Sequence, residues 1–168
     1  MSVITVLSLL IGALGGAILT GAFSVWDKFE SRTHRAENIL AALVAEVTAL
    51  TSIIREQGYN SDIRATAKAS NEEGWDGGLN QIGIQSNYLK IFDSLAPELG
   101  LIEPDKSKKI VDFYIRAKAF IDSNNLSDEY IETATIEEKK SHAIAASKNV
   151  EELLRVGDAI AQFDVATK

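Results

Sequence analysis

The 168-residue sequence predicts an all-α protein with a single-pass N-terminal transmembrane helix and a small helical bundle after it. An uncharged apolar segment runs from Ser2 to Trp26, and later apolar side chains recur at helical spacing. The alternating stretch Gln81–Gln85 is too short to indicate a sheet. We therefore expect a membrane anchor over residues 1–26 and one helical domain over residues 27–168.

The N-terminal segment is long enough to cross a bilayer. As a helix, Ser2–Trp26 spans roughly 38 Å at about 1.5 Å per residue, and a bilayer core is about 30 Å thick. A core helix of a small soluble domain rarely runs so far without a charge. A cleaved signal peptide is the other alternative, but Met1-Ser2 lacks a basic residue, and Phe23 and Trp26 are bulky where cleavage requires small side chains. Trp26 also suits a membrane–water interface, so the anchor interpretation is favoured.

Positive charge lies on one side of this segment only. Lys28, Arg32 and Arg35 follow it, and no charged side chain precedes it. The positive-inside rule then predicts that the N-terminus lies outside and the C-terminal domain in the cytoplasm. These three residues form a basic collar that faces lipid, where each cation can add about 1 kcal/mol of attraction to anionic headgroups.

Small residues line one side of the predicted anchor. They form two rows at four-residue spacing: Gly12, Gly16 and Thr20, and beside them Ala13, Ala17 and Gly21. Such rows let membrane helices approach closely, because lipid provides no hydrophobic drive for association. The rows predict a helix contact with a second copy or with a larger membrane protein. The alternative is the ordinary composition of a membrane helix.

The composition excludes several functions. The net charge is −7, and all side-chain charge follows Trp26, so the water-facing part is acidic. Nucleic-acid binding is disfavoured, because it requires clustered lysine and arginine. The chain has no cysteine, which excludes disulfides, cysteine zinc sites and thiol catalysis.

The segment Asp27–Gln57 has the pattern of a long helix. Its apolar residues alternate four and three apart, and three more widen the stripe beyond that of a two-stranded coiled coil. They are Ala36, Leu40, Leu43, Val47, Leu50 and Ile54, with Ile39, Val44 and Ile53 beside them. No proline or glycine interrupts between Ala22 and Gln57, which favours one continuous rod that Gly58 ends. We expect the stripe to pack against two later helices.

The next stretch, Gly58–Leu79, loses this periodicity and predicts a long loop with one helical turn at Ile63–Ala69. Trp75 stands among glycines in GWDGG. An exposed aromatic there would be a binding anchor for a partner. The alternative, a tryptophan that folds back over the helices, is the favoured interpretation.

Three helical segments are predicted in the C-terminal half. The first carries Phe92, Leu95 and Leu99 behind Tyr88, with Asn87 as N-cap. The second begins at Pro104 and ends at Asn124-Asn125. The last covers Ile136–Phe163, capped by Ser127 or Thr135, and Thr135 with Glu138 has the capping-box spacing. The residues predicted to be buried between these helices are Leu43, Val47, Leu50, Tyr114, Ile121, Val150 and Leu153.

No catalytic, cofactor or metal site is predicted. His34 and His142 lie in separate segments, and no HxxxH pair is present. His34 and Glu37 stand three apart, but two ligands do not make a metal site. The glycines near Trp75 lack the Lys-Ser/Thr of a phosphate loop, and GxSxG is absent. We expect a protein that is not an enzyme and has neither a cofactor nor a small-molecule substrate.

The segment Asn87–Phe120 resembles short bacterial and phage proteins with one N-terminal membrane helix and a small all-helical domain. The shared features are an aromatic helix, a Leu-Gly-Leu-apolar-x-Pro connector and a helix with an apolar pair before Phe113-Tyr114. The resemblance implies a bacterial or phage origin, hence the inner membrane, and it transfers no activity.

The favoured function is a membrane-tethered interaction module, an accessory or scaffold subunit of a membrane assembly. The second is an envelope or lysis protein with a periplasmic domain, which the basic collar opposes. The third is an enzyme.

Overall fold

The structure, a computed structural model, describes residues 31–79 and 89–164. In these two ranges the chain forms helices and turns and contains no strand, which confirms the all-α expectation for them. The predicted anchor lies outside these ranges, as do Asn87, Tyr88 and the stretch Gln81–Gln85. The described elements are α1 (Ser31–Glu56), α2 (Tyr59–Ala69), α3 (Lys90–Leu95), a 3₁₀ helix (Ala96–Leu101), α4 (Pro104–Asn124), α5 (Asp128–Thr133) and α6 (Ile136–Ala161).

One apolar core joins the long helices. The heptad stripe of α1 is buried from Leu40 to Ile54. The helix contacts α4 through a hydrogen bond to Glu46, and α6 through an ion pair of Arg55. All the residues predicted to be buried between the helices are buried: Leu43, Val47, Leu50, Tyr114, Ile121, Val150 and Leu153.

Helix α1 is the one candidate membrane span in the described part of the chain. It is near the N-terminus and is long and apolar enough to cross a bilayer, by length and composition alone. Its most apolar side chains, however, lie in the core; Leu43, Val47 and Ile54 are each 0% exposed. The same helix carries Glu46 and Arg55, which would be costly in lipid.

The predicted loop Gly58–Leu79 contains a longer helix than expected: α2 occupies Tyr59–Ala69, whereas only one helical turn, Ile63–Ala69, was predicted there. The inner face of α2 carries the buried Ile63 and the partly buried Tyr59, and the helix packs on α6. A short helix with one large buried residue has a weak apolar period, so tertiary contact stabilises it more than its own pattern. Gly58 ends α1 as predicted, with a left-handed φ of +75° that glycine adopts without strain.

The predicted aromatic helix is shorter than its pattern and changes type. Helix α3 has Leu89 as N-cap and ends at Leu95, and the 3₁₀ helix follows with Pro97 in its first turn. Proline lacks the amide hydrogen that a continuing α-helix would require, so the α-helix ends and the more tightly wound 3₁₀ helix follows.

The other predicted helix boundaries are largely confirmed. Pro104 lies in the first turn of α4, and Asn124 is its last residue. Ser127 caps α5, and Thr135 caps α6 in a capping box with Glu138. The hydrogen bonds to Thr135 lower the pKa of the Glu138 carboxyl. Ile136, the first residue of α6, is 49% exposed, because it lies in the first turn, beyond the end of the core.

Helices α1, α4 and α6 meet at Gly157, which is buried in α6. A Cβ atom there would overlap Thr51 Cγ2 of α1 and would lie 3.0 Å from Phe113 Cε2 of α4. The Thr51 side chain is fixed, because its hydroxyl donates to the carbonyl oxygens of Val47 (3.1 Å) and Thr48 (2.9 Å). The contact therefore has little room to relax.

We expect Gly157→Ala to lower the free energy of unfolding by about 1–3 kcal/mol through overpacking, although alanine is the better helix former. Thermal or urea unfolding measures the change. Gly100→Ala is the matched control, because a Cβ atom there meets nothing within 4 Å. Thr51→Ser removes the methyl group that a Cβ at residue 157 would strike, and it should restore part of the loss in the double variant. Equal stability of Gly157→Ala and the wild type would contradict the close approach.

Candidate functional site

The basic collar is described only in part. Arg32 is exposed in the first turn of α1, and Lys28 lies outside the described residues, with Gly12, Ala13, Gly16, Ala17, Thr20 and Gly21. Arg35 pairs with Glu98 of the 3₁₀ helix, with 2.5 Å between Nε and Oε2. This hydrogen bond raises the pKa of Arg35 and lowers that of Glu98. The sequence predicted that Arg35 faces lipid. In the structure its side chain forms an ion pair with Glu98 of the same chain.

The segment that carries Trp75 runs over the start of α6. Gly74 and Gly77 both have a left-handed φ of +83°, which fixes two sharp turns around the tryptophan. The Asp76 Oδ1 atom accepts a hydrogen bond from the Gly78 amide at 3.0 Å. Gly77 is buried, and a Cβ atom on it would lie 2.8 Å from Ile136 Cδ1. The segment is thus docked on α6 by a glycine that no larger residue could replace without displacement.

Trp75 itself is half-buried. Both interpretations of the residue therefore stay open, since part of its ring is covered and part meets solvent. Ile136, against which Gly77 packs, is one of the exposed large apolar residues. Trp75 is partly exposed and lies two residues before Gly77, which packs on the exposed Ile136 of α6, so this region forms a candidate contact surface for another protein.

Glu46 on α1 is a buried polar residue, 8% exposed, that accepts three hydrogen bonds from other parts of the chain. Its Oε1 atom accepts from the Ile91 amide at 2.8 Å, and Oε2 accepts from the Phe92 amide at 3.0 Å. Oε2 also accepts from the Tyr114 hydroxyl at 2.5 Å. A carboxylate from α1 thereby caps the N-terminus of α3, which favours negative charge.

Aromatic rings surround this carboxylate. Phe92 stacks on Tyr114 with 3.9 Å between ring centroids, and Phe113 meets the same ring edge-on at 5.4 Å. Burial, followed by the hydrogen bond to Glu46, raises the pKa of Tyr114 above its usual range. The phenol thus stays protonated as a donor. The arrangement fastens α3 to α1 and α4 and offers no open position for a substrate.

A surface groove of about 390 Å³ lies between α6 and the chain from the end of α1 into α2. Its lining includes three arginines from three helices, Arg55, Arg64 and Arg155. Each is paired with a carboxylate of α6: Asp158 at 2.7 Å, Glu151 at 2.7 Å and Glu152 at 2.6 Å, respectively. All these pairs are exposed, so solvent and ions reach them.

The two histidines lie apart, as predicted. His34 is within 3.4 Å of Glu37 on the exposed side of α1. His142 is half-buried beside Tyr130, with 5.8 Å between ring centroids, and burial lowers its pKa. In residues 31–79 and 89–164 no three histidine, aspartate or glutamate side chains cluster as a metal site would require. A cavity beside His142 holds about 10 Å³, close to the volume of one water molecule.

Sequence reasoning missed two of these features. Glu46 stands beside the α1 stripe, between Leu43 and Val47, and a glutamate at that position is a signal that a buried donor faces it. The groove arginines are distant in sequence, and only the packing of three helices brings them together.

No known protein family matches this chain, and no match was found among curated proteins or solved structures. The resemblance of Asn87–Phe120 to short membrane-anchored helical proteins therefore stays a prediction.

Proposed function

We propose that this protein is a membrane-tethered interaction module, an accessory or scaffold subunit that presents an acidic helical bundle to a partner in the cytoplasm or the membrane. The observation that carries the proposal is that the sequence contains two separate apolar segments with different roles. The stripe of α1 is used by the core, whereas the uncharged segment Ser2–Trp26 precedes the helical domain with no charge at all.

The burial of α1 supports this assignment of the tether. Leu43, Val47 and Ile54 of α1 are fully buried against the rest of the chain, so the main apolar stripe of this helix is used by the core. The segment before it carries no charged side chain that would oppose insertion. The tether is therefore Ser2–Trp26, and α1 extends the domain from the membrane.

The contact surface around Trp75 supports the interaction role. Tryptophan is enriched among residues that dominate binding energy at interfaces, and exposed apolar neighbours such as Ile136 add area. The packing of Gly77 on α6 positions the backbone of the segment before binding, which reduces the entropy that association would cost.

Topology is the first test. Alkaline carbonate should leave the full-length protein in the membrane fraction, and protease added outside spheroplasts should spare the helical domain. Release by carbonate would overturn the tether. Digestion by external protease, or a periplasmic signal from a reporter fused after Lys168, would instead favour the envelope or lysis alternative.

We also expect the double substitution Gly12→Ile and Gly16→Ile to weaken self-association or co-purification with a membrane protein, because larger side chains separate packed helices. Crosslinking in membranes and pull-down in mild detergent measure the effect. Leu14→Ile with Ile18→Leu is the matched control, since helical spacing would place these residues on the side away from Gly12 and Gly16. Unchanged association of the glycine variant would assign the contacts to the helical domain.

A further inference from the structure

We propose that the groove lined by Arg55, Arg64 and Arg155 binds a small organic phosphate monoester. The site is separate from the tether and from the surface around Trp75, and it adds a ligand to the proposed function.

The composition of the groove is the first observation. The chain has six arginines and eleven lysines, yet three arginines and no lysine line this groove. The planar guanidinium donates two parallel hydrogen bonds to an oxyanion, which the ammonium of lysine cannot do. Arg55, Arg64 and Arg155 come from α1, α2 and α6, so the groove exists only when the three helices are packed.

The charge balance is the second observation. Three guanidinium groups line the groove, and Asp158, Glu151 and Glu152 pair with them one to one, so the present charges of the site are balanced by carboxylates that each carry a single charge. A phosphate monoester carries close to two negative charges at neutral pH and presents three acceptor oxygens. A single carboxylate has only two acceptor oxygens and one charge, so it can pair with fewer of the three guanidinium groups at once.

The present partners of the arginines are exchangeable. The Arg55–Asp158 and Arg64–Glu151 pairs are between 43% and 59% exposed at each side chain. Exposed ion pairs contribute little stability, so a more highly charged oxyanion can replace the carboxylates without disturbing the core. The Asn60 amide also lines the groove and offers a further donor.

The floor of the groove selects an ester over the free anion. Val150 and Leu154 line it, and Val150 belongs to the core. The volume of about 390 Å³ exceeds the size of a phosphate group and lies in the range of small-ligand sites. A phosphate that carries an apolar or aromatic body would cover the partly buried Leu154, whereas Val150 is already fully buried.

The position of the groove favours a soluble ligand over a lipid headgroup. From Arg35 to Arg55, helix α1 advances roughly 30 Å at about 1.5 Å per residue. The basic collar lies at the near end of this distance, so membrane phosphates are out of reach if α1 leads away from the bilayer. Only this preference for a soluble ligand depends on the proposed tether. The groove itself is formed by α1, α2 and α6 and is independent of the tether.

Calorimetric titration of the full-length protein in mild detergent with phenyl phosphate tests the proposal. We expect saturable binding that is tighter than that of inorganic phosphate. Arg64→Lys keeps the charge but removes the second parallel hydrogen bond, and it should weaken phenyl phosphate binding roughly tenfold. Arg35→Lys is the matched control, because Arg35 pairs with Glu98 of the 3₁₀ helix, neither residue lines the groove, and the change should leave the affinity unchanged.

Thermal melting of each variant separates loss of the site from loss of the fold. Absence of saturable binding, or equal affinities of the wild type and a correctly folded Arg64→Lys variant, would overturn the site. Equal affinities for phenyl phosphate and inorganic phosphate would overturn the ester preference. Titration of liposomes that contain phosphatidic acid is the remaining arm, and a groove-dependent interaction there would reject a soluble ligand. None of these results depends on the carbonate and protease tests of the tether.

Discussion

Replacing Glu46 with leucine should lower the free energy of unfolding by about 3 kcal/mol or more, although leucine is apolar and of similar size. The change removes the acceptor of three donors, the Tyr114 hydroxyl and the Ile91 and Phe92 amides. A buried donor left without an acceptor costs about 1–3 kcal/mol, and bonds to a charged acceptor lie at the upper end. Urea unfolding followed by circular dichroism measures the loss.

The conservative variant Glu46→Gln distinguishes the charge from the hydrogen bonds. Glutamine keeps one acceptor oxygen but presents an NH₂ group to a donor, so we expect an intermediate loss. Glu56→Gln is the matched control, because Glu56 is exposed on the same helix. In hydrogen exchange, the Ile91 and Phe92 amides should lose protection in Glu46→Leu before the core does. Unchanged protection at these amides would show that Glu46 does not hold α3.

The apolar period predicted the long helices well, because their burial is continuous. Leu43, Val47 and Leu50 repeat at heptad spacing. A stripe this wide is shielded from water only when the helix packs against more than one neighbouring helix. The boundaries at Pro104 and Thr135 were equally predictable, since proline and a capping box act on backbone groups close by in sequence.

The remaining structure depends on contacts that no local pattern encodes. Helix α2 buries one large residue, Ile63, and exists by packing on α6. The cap of α3 comes from Glu46, which is 45 residues earlier than Ile91. The arginine groove needs α1, α2 and α6 in place before its residues meet. In each case the stabilising partner is distant in sequence, and periodicity over a window of a dozen residues contains no information about it.

Truncating Leu50 to alanine should lower the free energy of unfolding by about 2–5 kcal/mol, because the side chain is 3% exposed in the shared core and its removal leaves a cavity. Trp75→Ala should cost less, since the ring is half-buried and its segment is held separately by Gly77 and the Asp76 hydrogen bond. Thermal melting of both variants, beside pull-down from the native host in mild detergent, provides the comparison.

The two variants should have opposite effects on thermal stability and on partner capture. Leu50→Ala should melt earlier yet capture a partner normally at temperatures where it is folded, because Leu50 is inside the core and outside any contact surface. Trp75→Ala should melt close to the wild type and lose capture, and Trp75→Phe should recover part of it by restoring aromatic area. If Trp75→Ala melts as early as Leu50→Ala, the tryptophan belongs to the core. The contact surface proposed around Trp75 would then be wrong, and the interpretation favoured from the sequence, a tryptophan folded back over the helices, would be correct.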